Sequence, residues 1–337
     1  MTLQETLELH RRGELDAAER AYRDHLAANP DDVDALHLLG VALSQHGDNA
    51  GAMEPLLHAV RLAPDMARLH LSLGGVLMRL DQDEAARGAF LRALELDPNL
   101  VEAHSVLGHL QLQDGDLDAA ENRFRIGRRA TDMFDNDDPM ILLGLGNVHL
   151  GRGDGVTASK FLSRAAELKP DDAGIQTALG QAFFAQESFA FAEQAFSNAL
   201  RLHPESSVVR LFLARARMRQ NKDESAREGF TALIADGKQP FGANAGLGDI
   251  ARKHGQTVKA LKFYKRALEL DPTHAGVVNA CAWCMEKLGD FDAAVRYLSD
   301  GVRQSPDADA LRPTLAALLD KLGRGSEAAQ VRADISH

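Results

Sequence analysis

Both cysteines of the chain lie three residues apart, at Cys281 and Cys284, with its only tryptophan, Trp283, between them. This Cys-x-x-Cys spacing is that of redox-active dithiols and of half a zinc site. One hypothesis is therefore a redox or metal-binding protein that works through Cys281 and Cys284. No second ligand pair follows in the sequence to complete a zinc site. The alternative is that both thiols are packed apolar groups.

Other residues that could do chemistry form no recognisable catalytic pattern. The 13 histidines are scattered, and His104 and His109, five apart on one predicted helix, would face different sides of it. Four aspartates resemble calcium ligands, but the glycine and distal glutamate of an EF-hand loop are missing: Asp132, Asp135, Asp137 and Asp138. Glycine-rich phosphate loops are absent as well. The sequence predicts no catalytic residue, no metal and no cofactor, and an acidic solvated loop at these aspartates.

Composition and charge restrict the class of protein. The chain has 337 residues, 45% hydrophobic and 5% aromatic, which is typical of a soluble, mostly helical protein. Its net charge of −11 is uneven, because residues 1–138 contain 13 arginines, no lysine and 26 acidic residues. That acidic half argues against nucleic acid and anionic membranes as partners. With no apolar run of about 18 residues and no visible secretory signal, we expect no membrane insertion and a cytoplasmic location.

The chain repeats itself with a period of about 34 residues, a length typical of helical repeat arrays. Each repeat contains a pair of a large and a small residue, which is followed at a fixed distance by an alanine and in most repeats by a proline, as Gly40 is by Ala52 and Pro64. Length alone favours about two domains, whereas a fixed period favours one array. The pairs are evenly spaced except for one longer step after the third: Leu39-Gly40, Leu73-Gly74, Leu107-Gly108, Leu145-Gly146, Leu179-Gly180, Leu213-Ala214, Leu247-Gly248, Cys281-Ala282 and Leu315-Ala316.

Stretches such as "ARLHLSLGGVLMRLDQDEAARGAFLRALELDP" carry the full pattern of leucine, glycine, alanine, aromatic, alanine and proline. This pattern resembles the tetratricopeptide repeat (TPR), a 34-residue helix-turn-helix unit, over essentially the whole chain. The resemblance implies an all-α fold, a right-handed superhelical solenoid, in a single domain. With repeat position 1 at Val33, the repeats are 1–32 (partial), 33–66, 67–100, 101–134, 139–172, 173–206, 207–240, 241–274, 275–308 and 309–337 (a C-terminal cap), with an insert at 135–138.

Each recurring residue has a structural reason. Small residues at positions 8 and 20 let the two helices of a repeat, A and B, approach closely, and the aromatic residue at position 24 fills the space between repeats. In turns such as "HGD" the glycine takes a positive φ and the aspartate caps helix B. Cys281 stands where the other pairs have leucine, and Cys284 stands at the apolar position 10. This register favours packing for both thiols and makes Trp283, at position 9, the better functional candidate.

The resemblance also implies where a partner binds. In the family the A helices line a concave groove with positions 2, 5, 9, 12 and 13 facing inward, and that groove binds peptides or partner helices. Position 12 is apolar through five successive repeats, as expected of anchors for a partner's apolar side chains. These residues are Met78, Leu112, Leu150, Phe184 and Met218.

Positions 9 and 13 supply the polar contacts of the predicted groove. Position 13 is basic at Arg219, Lys253 and Lys287, and with Arg215 and Arg252 it would form a positive strip for an acidic segment. At position 9 the family often hydrogen-bonds a peptide backbone; here that position carries His109, Asn147, Gln181, Arg215, Asp249 and Trp283.

The sequence therefore predicts a non-enzymatic scaffold that binds a partner protein, peptide or helix in its groove. Similar arrays precede the catalytic domains of some glycosyltransferases, sulfotransferases and aspartyl hydroxylases. A stand-alone or detached targeting or regulatory subunit of such an enzyme is an alternative. The redox or metal-binding protein remains a second alternative.

Overall fold

The computed structural model of the chain describes residues 2–132, 137–304 and 308–333. Within these ranges the chain forms helices joined by short turns, and no strand occurs. The fold is an all-α helical repeat, as the resemblance to the tetratricopeptide repeat implies. The chain divides into two compact units, Met1–Arg152 and Gly153–His337. The prediction of one continuous solenoid stays a prediction.

The first unit is a run of helices in which each packs against the next along the chain. Odd-numbered helices are the A helices of the predicted repeats, and even-numbered helices are the B helices. Within the described residues of this unit the helices are α1 (Leu3–Arg11), α2 (Leu15–Ala28), α3 (Val33–Gln45), α4 (Asn49–Leu62), α5 (Ala67–Arg79), α6 (Asp83–Leu96), α7 (Val101–Gln113), α8 (Leu117–Asp132) and α9 (Pro139–Gly151).

The second unit continues the alternation and is packed in the same way. Its helices, within the described residues, are α10 (Gly155–Leu168), α11 (Ala173–Ala185), α12 (Phe189–Leu202), α13 (Ser207–Arg219), α14 (Asp223–Ala235), α15 (Pro240–Lys253), α16 (Thr257–Leu268), α17 (Ala275–Lys287), α18 (Phe291–Gln304), α19 (Ala308–Lys321) and α20 (Gly325–Ala333).

The turns between A and B helices have the predicted chemistry. Between α3 and α4, Gly47 has a φ of 92°, a conformation that side chains with a Cβ rarely adopt. Asp48 then caps α4, because its carboxylate accepts a hydrogen bond from the Gly51 amide at 2.8 Å. Where the turn has no glycine, a polar residue takes the left-handed conformation instead, as Asp81 does with a φ of 56°.

The extra residues of the one longer repeat step lengthen α8, which has 16 residues where α6 has 14, and the segment between α8 and α9. Most of the predicted acidic loop, including Asp135 and the side chain of Asp132, lies outside the described residues. Asp138 is described, and its carboxylate accepts hydrogen bonds from the amides of Met140 and Ile141 at 2.8 and 2.9 Å. This aspartate therefore caps α9, where its negative charge also suits the helix dipole.

The two helices of a repeat touch at position 8, where space for a side chain is missing. A Cβ added to Gly74 would lie 2.8 Å from the ring of Phe90, which is only 1% exposed. The same contact recurs at Gly108 with Phe124 and at Gly180 with Phe196. Glycine at position 8 thus sets the distance between the A and B helices.

Both cysteines lie inside the core of the second unit. Cys281 and Cys284 are fully buried and are not joined in a disulfide. Burial raises the pKa of the Cys281 thiol to about 12, with a further contribution from Cys284. Burial raises the pKa of Cys284 as well. Since the thiolate is the reactive and metal-binding form, this environment favours packing over redox or metal chemistry.

Two adjacent glycines of α5 test the packing argument. We expect Gly74→Ala to lower the free energy of unfolding by about 1–3 kcal/mol, because the buried ring of Phe90 cannot yield. Gly75→Ala should raise it by about 0.5–1 kcal/mol, since its new methyl meets only an Arg79 nitrogen, at 3.6 Å. Urea titration followed by circular dichroism measures both. Equal effects of the two substitutions would contradict the role of position 8.

The thiols provide a second prediction. In the folded protein at pH 8, Cys281 and Cys284 should not react with 5,5′-dithiobis(2-nitrobenzoate), because both are buried and their pKa values are raised. After unfolding in urea, both should react within the dead time of mixing. Rapid modification of either thiol in the folded chain would restore the redox hypothesis.

Candidate functional site

A pocket in the second unit brings together five of the residues predicted to bind a partner. They come from three successive A helices: Phe184 from α11, Arg215, Met218 and Arg219 from α13, and Asp249 from α15. The pocket has a volume of about 370 Å³, and its wall is completed by other residues that include Phe241, Tyr264 and His274. We call it the Arg215 pocket. Its size lies in the range of sites that hold small ligands or a few side chains.

Repeat geometry places these side chains together. Positions 9 and 12 are three apart, so they lie on the same side of an A helix. Helices α11 and α13 contact each other, as do α13 and α15. Phe184 is fixed by an edge-on contact with Phe189, whose ring centroid is 5.2 Å away. Phe184 and Met218 are half-buried, so part of each apolar side chain faces the pocket.

A hydrogen bond from the core holds Asp249 in place. The Tyr264 hydroxyl, on the B helix α16, donates to the Asp249 carboxylate at 2.7 Å. Burial raises the pKa of the Tyr264 phenol well above its usual range, and the Asp249 carboxylate raises it further. The phenol therefore stays protonated and remains a donor. Asp249 is thus a fixed negative charge in the wall of the pocket.

Arg215 is the least satisfied charge in the pocket. Its side chain is half-buried, and it makes no ion pair with any residue in the described ranges. Burial lowers the pKa of its guanidinium, and the Asp249 carboxylate opposes that shift. An arginine stays protonated at any physiological pH, so the pocket holds a partly desolvated cation.

The predicted basic strip at position 13 is interrupted by ion pairs within the chain. Arg219 pairs with Glu187 at 3.1 Å and lies 4.4 Å from the centroid of the Phe189 ring. Lys253 pairs with Asp223 at 2.7 Å. The pair of Arg219 with Glu187 is exposed, and such pairs contribute only about 0–1 kcal/mol, so a partner can exchange it. Arg219 and Lys253 of the predicted strip are thus already paired with carboxylates of the chain, and the strip stays a prediction.

The remaining basic residues gather around the tryptophan. Arg252 lies 3.6 Å from Asp249 and 5.7 Å from the centroid of the Trp283 ring. Lys287 lies 5.7 Å from that ring as well. Trp283 is half-buried, flanked by two cations, and lies on α17 outside the pocket lining. Gln181, on α11, is also half-buried and outside the lining.

The predicted residues of the first unit are distributed differently. Met78 on α5 and His109 on α7 line a separate pocket of about 410 Å³, which we call the Met78 pocket. Asn147 and Leu150 on α9, and Leu112 on α7, are half-buried and do not belong to that lining. His109 is held by a 2.8 Å hydrogen bond to the Ser105 carbonyl oxygen and an edge-on contact with Phe124.

The sequence does not predict that Tyr264 lines the Arg215 pocket. Tyr264 occupies the aromatic position 24, which the repeat pattern assigns to the core. A detectable signal was present, because Tyr264 replaces the more frequent phenylalanine and a carboxylate, Asp249, stands on the A helix of the same repeat. Phe241 and His274 were missed as well, since neither occupies an inward-facing repeat position. The structure adds all three to the lining of the Arg215 pocket.

Neither pocket has the composition of a metal centre. In the part of the chain that the structure describes, no group of three or more histidine, cysteine, aspartate or glutamate side chains could hold a metal ion. Across the same ranges, none of the helices combines the length and hydropathy needed to cross a membrane.

Comparison with known proteins finds relatives of most of the chain. Human tetratricopeptide repeat protein 7A is 38% identical over 86 residues, covering 26% of this chain and 10% of its own. The CTR9 homolog of Arabidopsis thaliana is 26% identical over 313 residues, covering 89% of this chain and 25% of its own. The chain thus spans a quarter or less of the length of these two relatives.

A solved structure shares the fold. The structure of pilF from Pseudomonas aeruginosa superimposes with a TM-score of 0.53 at 17% identity, covering 60% of this chain and 90% of that one. At this identity the likeness concerns the fold alone.

Family models match most of the chain. The model of the cilia and flagella-associated protein 70 C-terminal domain matches residues 6–207, which is more than half of the chain. Tetratricopeptide repeat models match residues 183–241, 251–318 and 213–275. The chain belongs to the tetratricopeptide repeat family, in the group represented by the C-terminal domain of cilia and flagella-associated protein 70.

Proposed function

We propose that the chain is a non-enzymatic interaction scaffold whose A-helix surface in the second unit holds an extended or helical segment of a partner protein. The Arg215 pocket carries this proposal, because it combines apolar walls with a cation that has no ion pair in the described ranges. Members of the family typically mediate protein–protein interactions.

The apolar part of the pocket supplies affinity. Phe184 and Met218 present part of their side chains to the pocket, and Phe241 adds another aromatic wall. A partner's aliphatic or aromatic side chain would displace water from these surfaces, which is the main favourable contribution to most protein associations. Aromatic anchors of this kind often dominate the binding energy of an interface.

The charged part supplies selectivity. A carboxylate of the partner could pair with Arg215 and replace the hydration that burial has removed. Asp249, held by Tyr264, would repel a carboxylate placed on its side of the pocket and accept a hydrogen bond from a backbone amide. The partner segment that fits this arrangement carries an apolar side chain next to an acidic one. Gln181, Arg252, Lys253, Trp283 and Lys287 would extend the contact beyond the pocket.

A cytoplasmic location forms part of the proposal. Two free, buried thiols suit a compartment in which cysteines stay reduced. If the chain is the targeting subunit of an enzyme, its partner is that enzyme. The capture experiment described next would identify it.

Phe184→Asp should abolish partner capture, because it places a charge where the apolar anchor belongs. The protein is immobilised, partners from its own cells are identified by mass spectrometry, and their affinity is then measured by biolayer interferometry. We expect a loss of at least about tenfold, the size expected for an interface anchor. Phe191→Asp is the matched control, since Phe191 is 61% exposed on α12 and lies outside the pocket.

Arg215→Glu should weaken capture of the same partner by a similar factor, and Arg201→Glu, the same change at an exposed site of α12, should not. Circular dichroism melting curves verify that all four variants are folded. Equal affinity of the wild-type protein and the folded Phe184 and Arg215 variants would refute the assignment of the site.

A further inference from the structure

The Met78 pocket of the first unit has a different chemistry from the Arg215 pocket. Three A helices contribute its apolar wall: Met78 from α5, Val106 and Leu110 from α7, and Met140 from α9. Methionine side chains are flexible and polarisable, and they adapt to apolar groups of different shape. At about 410 Å³ the pocket has room for apolar side chains of a partner.

The rim of the Met78 pocket is acidic. Glu102 is exposed at the N-terminal end of α7, and Asp138 lies at the start of α9. Both carboxylates belong to the lining, and neither forms an ion pair with any residue that the structure describes. One oxygen of Asp138 accepts the two capping hydrogen bonds of α9. The rim thus presents two negative charges beside an apolar surface.

Cations on the neighbouring helix do not neutralise this rim. Arg68, on α5, pairs with Asp34. Arg79 donates hydrogen bonds to the Ser44 hydroxyl at 3.3 Å and to the Gly75 carbonyl oxygen at 3.2 Å. Residues 1–138 as a whole contain 13 arginines, no lysine and 26 acidic residues. The electrostatic field around the pocket therefore favours a cationic partner.

We propose that the Met78 pocket is a second docking surface, which takes a partner protein's segment in which apolar side chains alternate with lysine or arginine. Apolar side chains enter between Met78, Val106 and Met140, and the basic side chains pair with Glu102 and Asp138. This goes beyond the function proposed above, since it assigns a separate surface in the first unit with the opposite charge preference. It holds whether or not the Arg215 pocket binds anything.

The test uses two defined probes on the full chain. Both are short, fluorescein-labelled, alanine-based peptides with leucine at every fourth position; one carries lysine next to each leucine and the other carries glutamate. Fluorescence anisotropy at low salt measures their affinities. The lysine peptide should bind at least roughly tenfold more tightly than the glutamate peptide, and its binding should weaken as salt increases.

Variants localise the binding to the pocket. Glu102→Lys should reduce the preference for the lysine peptide by roughly three- to tenfold, as expected for reversing one charge at the rim of an interface. Glu84→Lys changes the net charge equally on the B helix α6, where the side chain is 95% exposed, and should leave the preference unchanged within about twofold. Met78→Gln, nearly equal in size, should weaken both peptides because it makes the wall polar.

Three results would overturn the proposal. They are equal binding of the two peptides, equal effects of Glu102→Lys and Glu84→Lys, and failure of both peptides to bind at concentrations up to the millimolar range. Circular dichroism of each variant verifies that the helices are intact, so that a loss of binding is assigned to the surface. Since Glu102 and Glu84 are both exposed, neither substitution disturbs the core.

Discussion

The fold depends on the contact between an aromatic ring on a B helix and the backbones of two A helices. Phe124 shows it best, because an added Cβ would clash with its ring both at Gly108 of the same repeat and at Gly144 of the next. Phe230 occupies the same place between Ala214 and Gly246. One ring thus sets the distance within a repeat and the distance between repeats. In three repeats a buried leucine stands in place of the ring, at Leu56, Leu162 and Leu298. The same position is therefore filled from the core side along the chain, and local packing is repeated.

Packing restricts the residue types at only a few positions of each repeat. The residues on the other side of the A helices can therefore differ from one repeat to the next. Positions 8 and 24 are constrained by close packing, whereas side chains at positions 9 and 12 touch helix B only at their edges, as Phe184 touches Phe189 and Asp249 touches Tyr264. Tyr264 links the two groups of positions, since its ring packs over Gly248 in the core and its hydroxyl reaches Asp249 on the surface. A single hydroxyl added to a core ring thereby orients a charged group of the candidate site.

Much of this architecture follows from the sequence, because the period, the turn glycines and the capping aspartates are local signals. The left-handed turn at Gly47 and the burial of Cys281 and Cys284 follow from the repeat register. The pairing of Arg219 with Glu187 could not be predicted in the same way, because several carboxylates lie within reach of a long side chain. Pockets also escape prediction, since they depend on gaps between helices that the repeat pattern does not specify.

Charge distinguishes the two pockets more than shape does. Both lie on A helices of one fold and have similar volumes, about 370 and 410 Å³. One contains a half-buried arginine and the other a rim of two carboxylates. Since burial strengthens electrostatic interactions, the partly desolvated Arg215 would discriminate between partners more strongly than the exposed Glu102 would. The acidic surface of residues 1–138 would instead act at longer range, through the rate at which a cationic partner arrives. If both proposals hold, one fold selects partners in two ways, through contact with a desolvated charge at Arg215 and through the rate of association at the acidic surface of residues 1–138.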